Sequence, residues 1–186
     1  MPAPAKATGT CALTANQVVI NEIMPRPADT VEWVELYNKT DTVLDIGNCY
    51  IDDVADTGGS PIQIAAGTTI PAHGFWVTLD MSTYINNDGD YVRLLSDDAT
   101  TVLDSYQFGA SSVGSSWYRN PDGGDWSATA TSSPTKGFTN IDTCGDGSWK
   151  SGLEIHHINV GQGDATLIVS PAGKPAATAL QQTGRR

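Results

Sequence analysis

Val18-Val19-Ile20-Asn21-Glu22-Ile23-Met24 and, beyond a proline-marked break, Glu32-Trp33-Val34-Glu35-Leu36-Tyr37-Asn38 decide the fold. The first run is rich in β-branched residues and stops at Pro25 and Pro27, which remove backbone donors and fix φ. The second alternates acidic or polar side chains with apolar ones, the two-residue period of a strand with one packed and one wetted face. That alternation accounts for Glu32 and Glu35 more simply than glycoside chemistry with Glu22, which would need carboxylates at a fixed separation across a sugar.

Short β-type runs recur outward from this pair. Residues 43–46 and 50–53 surround Gly47, Thr57-Gly58-Gly59-Ser60 loops to 62–64, and 69–74 read as a turn before a strand over 75–79. Asn86-Asn87-Asp88-Gly89-Asp90 precedes 91–95, its Asp-Gly step tolerating the positive angles of a tight hairpin, and 96–99 turn into 101–108. With 19 Gly and 10 Pro, no long helical pattern survives, so the chain is expected to be all-β, a sandwich of seven or more short strands. Residues 109–140 are poorer in strands. Trp117 and Trp126 in that polar stretch are expected to pin it against the sandwich, with an exposed aromatic binding surface as the alternative.

Charge narrows the partners. The chain has 10 Lys+Arg against 21 Asp+Glu, a formal charge of -11, and no basic patch, which opposes nucleic acid as a partner. No stretch is long and apolar enough to span a bilayer, and residues 1–15 read as a linker without a signal peptide's apolar middle. Met1 ahead of such a linker suggests an expression start or a shortened chain, which is compatible with secretion of the natural protein.

Three cysteines are present. Cys11 and Cys144 flank the sandwich, and because domain ends often lie close together they are candidates for a disulfide clasp, though spacing alone does not assign pairing. Cys49, in Asn48-Cys49-Tyr50-Ile51, suits a small buried hydrophobe. None forms a close Cys pair with nearby His, so no metal site is expected of them. Asn86, Asn87, Asp88 and Asp90, and separately Asp52, Asp53 and Asp56, offer hard oxygens that make calcium conceivable, but neither loop has EF-hand spacing and solvated turn carboxylates are the simpler reading. Asn38-Lys39-Thr40 matches a glycosylation acceptor, a short pattern that arises often by chance.

Taken in order, these blocks resemble the lamin tail domain family: residues 19–25, 32–38, Ile70-Pro71 with Gly74, 89–94, and Ser116-Trp117-Tyr118-Arg119 with Pro121-Asp122-Gly123 and Trp126. The resemblance covers 18–140 and implies an immunoglobulin-like sandwich without catalytic residues, of the type found in secreted bacterial proteins beside hydrolases. Cys49 departs from it, standing where bacterial members often carry Trp.

After Thr143-Cys144-Gly145-Asp146-Gly147-Ser148 the pattern changes. Residues 153–169, with Val160-Gly161-Gln162-Gly163-Asp164-Ala165, resemble the opening strand, turn and strand of metallo-β-lactamase-fold hydrolases of the ComEC type, with Asn159 where that family usually has Asp. The His-x-His-x-Asp-His cluster such enzymes use does not follow. His156 and His157 are adjacent strand positions that point to opposite faces and cannot converge on one ion.

The organisation expected is therefore a linker over 1–15, a sandwich over 16–141, a linker over 142–152, a truncated hydrolase hairpin over 153–174 and a disordered tail over 175–186. The function expected is a non-catalytic extracellular module that attaches a neighbouring hydrolase to an unknown protein or polymer surface. It has no catalytic, cofactor or metal residues of its own. The alternative is the front of a metal-dependent hydrolase, inactive in this chain, and a spacer role is a third reading.

Overall fold

The computed structural model describes residues 10–28, 31–54, 59–78, 80–82 and 84–140, together with the strand backbones Glu154–Asn159 and Asp164–Val169. The chain divides into two units, Met1–Asn140 and Ile141–Arg186. In the first unit the strands are β1 (Val18–Met24), β2 (Trp33–Asn38), β3 (Leu44–Asp45), β4 (Tyr50–Asp52), β5 (Ile62–Gln63), β6 (Thr69–Ile70), β7 (Phe75–Val77), β8 (Gly89–Leu95), β9 (Val102–Gly109) and β10 (Trp117–Tyr118). They form two four-stranded sheets, ordered β10-β1-β2-β7 and β5-β4-β8-β9, and a small β3-β6 pair. Every pairing is antiparallel. This is an all-β, immunoglobulin-like sandwich.

One irregularity sets the arrangement of the first sheet. Pairing of β1 with β2 runs Val18↔Asn38, Val19↔Tyr37, Ile20↔Leu36, then shifts, and resumes Glu22↔Glu35, Ile23↔Val34, Met24↔Trp33. Asn21 is thus the extra residue of a β-bulge. The shift places Val18, Ile20 and Ile23 together with Val34 and Leu36 in the core, where they join Ile51, Val92, Leu94 and Phe108 of the second sheet. Strict alternation through β1 would instead have put Glu22 on the face of Ile20. Ile70 of β6, with Ile46, Ile64, Met81 and Ile85 from the connections, completes the same core.

Several local expectations change. Thr69 and Ile70 do not belong to a turn but pair with Asp45 and Leu44. The turn starts after them, with Gly74 N donating to Pro71 O at 3.0 Å. The Asp88-Gly89 step, with Gly89 at φ +116, does not close a hairpin. It leads from β7 of one sheet to β8 of the other. The hairpin lies one connection later, between β8 and β9, where Asp98 Oδ1 accepts from Thr100 N at 2.8 Å and Thr101 N at 2.7 Å.

The cysteine clasp also differs from expectation. Cys11 bonds Cys49 rather than Cys144, with Cα atoms 4.8 Å apart. The physical reason is that Cys11 is drawn into the core with Leu13, beside the buried Cys49 at the entry to β4. The expected linker over 1–15 therefore ends earlier, since residues 11 and 13 are core positions. Cys144 lies outside the described residues.

In the second unit, β11 (Glu154–Asn159) and β12 (Asp164–Val169) pair antiparallel from Glu154↔Val169 to Asn159↔Asp164. These two strands fall in the stretch read as strand, turn and strand over 153–169; residues 160–163 between them lie outside the described residues. The side chains of His156 and His157, and the expected tail over 175–186, lie outside the described residues.

The Cys11–Cys49 bond closes a loop with a sequence separation of 38. On the loop-entropy relation, Cys49→Ser should lower unfolding free energy by about 3–4 kcal/mol, read by urea denaturation. Non-reducing peptide mapping should recover Cys11 and Cys49 in one linked fragment. A linked Cys11–Cys144 fragment would contradict the pairing.

Candidate functional site

The bulge turns Glu22 to the outer face of the first sheet, directly across from Glu35. Alternation in β2 suggested that this face is wet. It is covered: both glutamates are 0% exposed, as is Asn21. The cover is a largely strandless segment whose backbone and side chains supply the partners that two buried carboxyl groups need.

Glu22 Oε1 accepts from Ser116 Oγ at 2.5 Å and Thr135 N at 3.1 Å, while Thr135 Oγ1 lies 3.0 Å from Glu22 Oε2. Glu35 Oε1 accepts from Asn21 Nδ2 at 3.0 Å, and Oε2 from Gly137 N at 2.6 Å. Asn21 joins β1 to the cover, its Oδ1 accepting from Gly123 N at 3.0 Å and its Nδ2 donating also to Asp122 Oδ1 at 2.9 Å. Asn140 closes the network, donating from N to Asp122 Oδ1 and from Nδ2 to Arg119 O, both at 2.9 Å.

A second cluster secures the other side of the bulge. Asp104 Oδ2 of β9 accepts from Ile20 N at 2.8 Å, and Arg119 Nε donates to Ile20 O at 2.7 Å. Arg119 also pairs with Asp104 at 3.2 Å and donates to Gly124 O at 2.6 Å. Its guanidinium lies 4.9 Å from the Trp126 ring centroid, and Trp126 stacks on Tyr106 at 3.6 Å. Trp117 Nε1 donates to Ser111 Oγ at 2.9 Å. Both tryptophans are half-buried and pack against the core, which holds the segment to the sandwich.

Several carboxylates of the acidic loops have partners within the chain. Asp90 Oδ2 accepts from Asn86 N and Nδ2, and Asp90 Oδ1 from Tyr91 N. Asp52 pairs with Arg93. Among the described residues no group of three or more His, Cys, Asp or Glu is placed to hold a metal ion; Asp56 lies outside them. Asn38 is buried and its Nδ2 donates to Thr42 O at 2.7 Å and Pro71 O at 2.9 Å, which closes it to a glycan. At the surface, His73 Nε2 lies 2.8 Å from Asp41 Oδ1 and Nδ1 lies 3.4 Å from the Tyr37 hydroxyl. Burial pushes the Tyr37 phenol up, opposite to what a nucleophile requires.

The model of the lamin tail domain family matches residues 12–110. The chain belongs to that family. No curated protein matches it. In this lamin tail domain the match takes in β1 to β9, Glu22, Glu35 and Asp104, whereas Ser116, Arg119, Asp122, Thr135 and Asn140, which seal the carboxyl pair, lie beyond the matched range. Sequence reading placed the glutamates on strands but missed the network. The available signal was an acid set inside the apolar run Val18–Met24.

Electrostatics within the pair are unfavourable to charge. Burial pushes Glu35 up from 4.5 to about 8, aided by Glu22 and Asp122, against the hydrogen bonds from Asn21 and Gly137. Burial also raises Glu22 against its bonds from Ser116 and Thr135. Like charges this close cannot both ionise easily, so the two act as one coupled unit. Half-buried Glu32, raised by burial to about 7 beside Asp80, shifts in the same direction.

A folded-state pKa above the unfolded one means that the native protein binds more protons in the intervening range. The contribution of the Glu22–Glu35 pair to stability is thus greatest below 4.5 and falls as pH rises towards about 8. For each excess proton held by the native state the slope is about 1.4 kcal/mol per pH unit. Urea titrations across that range should show the decline, and a flat profile would rule out the shift. Arg119→Ala should destabilise by about 2–4 kcal/mol, because it leaves the Asp104 carboxylate and Ile20 O in a largely buried place without their donor. The same denaturation assay reads it.

Proposed function

We propose that this lamin tail domain is a non-catalytic, extracellular attachment module that positions a neighbouring hydrolase against a protein or polymer surface. The observation that carries the reading is the sealed state of Glu22 and Glu35. They are buried carboxyl groups of the kind that does acid–base chemistry, yet both are shut beneath a cover and committed to it by hydrogen bonds. A general acid or base must reach its substrate. The Cys11–Cys49 disulfide supports an oxidising, extracellular compartment. The charge of -11 favours protein or neutral polymer over nucleic acid.

A second reading has its own support. The antiparallel backbone of β11 and β12, joined through 160–163, fits the opening hairpin of a metallo-β-lactamase-fold hydrolase. On this reading the chain is the front part of such an enzyme and carries none of its metal ligands. The natural reading frame decides it: a downstream His-x-His-x-Asp-His cluster supports the hydrolase, and its absence removes it.

For the first reading, the full chain should be retained on at least one of insoluble cell-wall material, glycan arrays or immobilised secreted proteins, and should leave phosphodiester and glycoside substrates intact. Retention on none of them, or turnover of either substrate, would overturn the attachment role.

A further inference from the structure

Asn140 Nδ2 faces the carbonyl oxygens of Arg119 at 2.9 Å and Asn21 at 3.3 Å, which fixes the orientation of the amide. Its Oδ1 therefore points at Thr135 Oγ1, only 2.5 Å away. An amide oxygen and a hydroxyl at that distance need a proton between them, and the only one available there is Thr135's own. Thr135 Oγ1 is then left to accept, and what faces it at 3.0 Å is Glu22 Oε2. A carboxylate there would set two acceptors against each other, whereas a carboxylic acid would donate.

Glu22 also accepts, at Oε1 from Ser116 Oγ and at either oxygen from Thr135 N, but its Oε2 alone faces a hydroxyl oxygen whose proton is already spent; Glu35 faces no such group. Both its oxygens meet donors, Asn21 Nδ2 and Gly137 N. A proton on Glu35 would displace one of them. The pair thus has one place for a proton and one for a charge: burial raises both acids, Glu35 to about 8, but the single proton that the coupled unit keeps is placed by the hydrogen bonds, and these put it on Glu22.

We propose that Glu22 and Glu35 form a singly protonated dyad, neutral at Glu22 and charged at Glu35, which serves as an alkali-released clasp on residues 135–140, the stretch leading out of the sandwich. With the proton present, the chain Glu22–Thr135–Asn140 is continuous and Gly137 N is held by the Glu35 charge. When the proton goes to hydroxide, two cross-strand carboxylates face each other under the cover and Thr135 can no longer satisfy both neighbours. The cheapest relief is to lift the segment and admit water.

Other charges around the pair do not replace the proton. Asp122, on the cover, adds negative potential at both glutamates. Arg119 is engaged by Asp104. Lys136 lies over the Trp33 ring at 5.3 Å. Desolvation acts in the direction the clasp needs, because it favours the neutral form of a buried acid.

Glutamine discriminates between the two positions, since its amide imitates a protonated acid. Glu22→Gln should keep residues 135–140 closed, with its NH2 donating to Thr135 Oγ1. Glu35→Gln should open them, by setting an NH2 against Asn21 or Gly137. The measurement is amide hydrogen exchange at Thr135 and Gly137 in the full chain, corrected for intrinsic rates, from mildly acidic to mildly alkaline pH. In the wild type, opening should rise by up to about tenfold per pH unit once the dyad loses its proton. In Glu22→Gln it should stay flat, and in Glu35→Gln it should be high throughout. Glu22→Gln opening as readily as Glu22→Ala, or Glu35→Gln staying closed, would overturn the assignment. Infrared spectroscopy gives a second readout: a protonated-carboxyl C=O stretch at neutral pH that persists in Glu32→Gln and is lost in Glu22→Gln supports the dyad, and the absence of such a band overturns it.

Discussion

A single residue inserted into one strand governs much of this domain. The bulge at Asn21 lets Ile20 and Ile23 both face the core, which no regular strand with that spacing achieves. Its consequence is that Glu22 must leave the core for the outer face, where it meets Glu35 across the β1-β2 pair. Two facing carboxyl groups can remain out of water only if something covers them with well-placed donors. The segment after β9 meets that requirement, so a feature of the first strand sets conditions on residues more than a hundred positions away, as the Thr135–Glu22 bond shows.

The network also explains why the cover needs so little regular structure. Its backbone groups are satisfied partly by side chains of the sheet: Gly123 N by Asn21, Gly137 N by Glu35, Thr135 N by Glu22. Stacking of Tyr106, Trp126 and Arg119 fixes one flank of it. The half-buried tryptophans work as anchors within the domain.

Much of the sandwich was legible in the chain. Apolar runs of the right length between Gly, Pro, Asn and Asp place most strands, and the polar stretch carrying Trp117 and Trp126 was expected to be pinned down. What failed to show had physical reasons. Period-two alternation tells which residues share a face but not what lies over that face, so Glu35 read as wet. Asp88-Gly89 signals a tight bend without saying that its flanks belong to different sheets. Pairing of Cys11 follows from its burial with Leu13 in the core beside Cys49, a contact between distant segments that spacing does not encode. The carboxyl network is equally non-local, assembled from Asn21, Glu22, Glu35, Ser116, Asp122, Thr135 and Asn140.

The Cys11–Cys49 bond has a mechanical meaning as well as a thermodynamic one. It ties the entrance of the domain covalently to the residue before β4, in the second sheet, whereas the exit at residues 135–140 is tied to the first sheet only by non-covalent contacts, hydrogen bonds and Lys136 over the Trp33 ring. Tension along the chain is therefore borne asymmetrically: hydrogen bonds can part and re-form where a covalent link cannot. The exit is the compliant end, able to lengthen and recoil, while the entrance keeps the core closed around it.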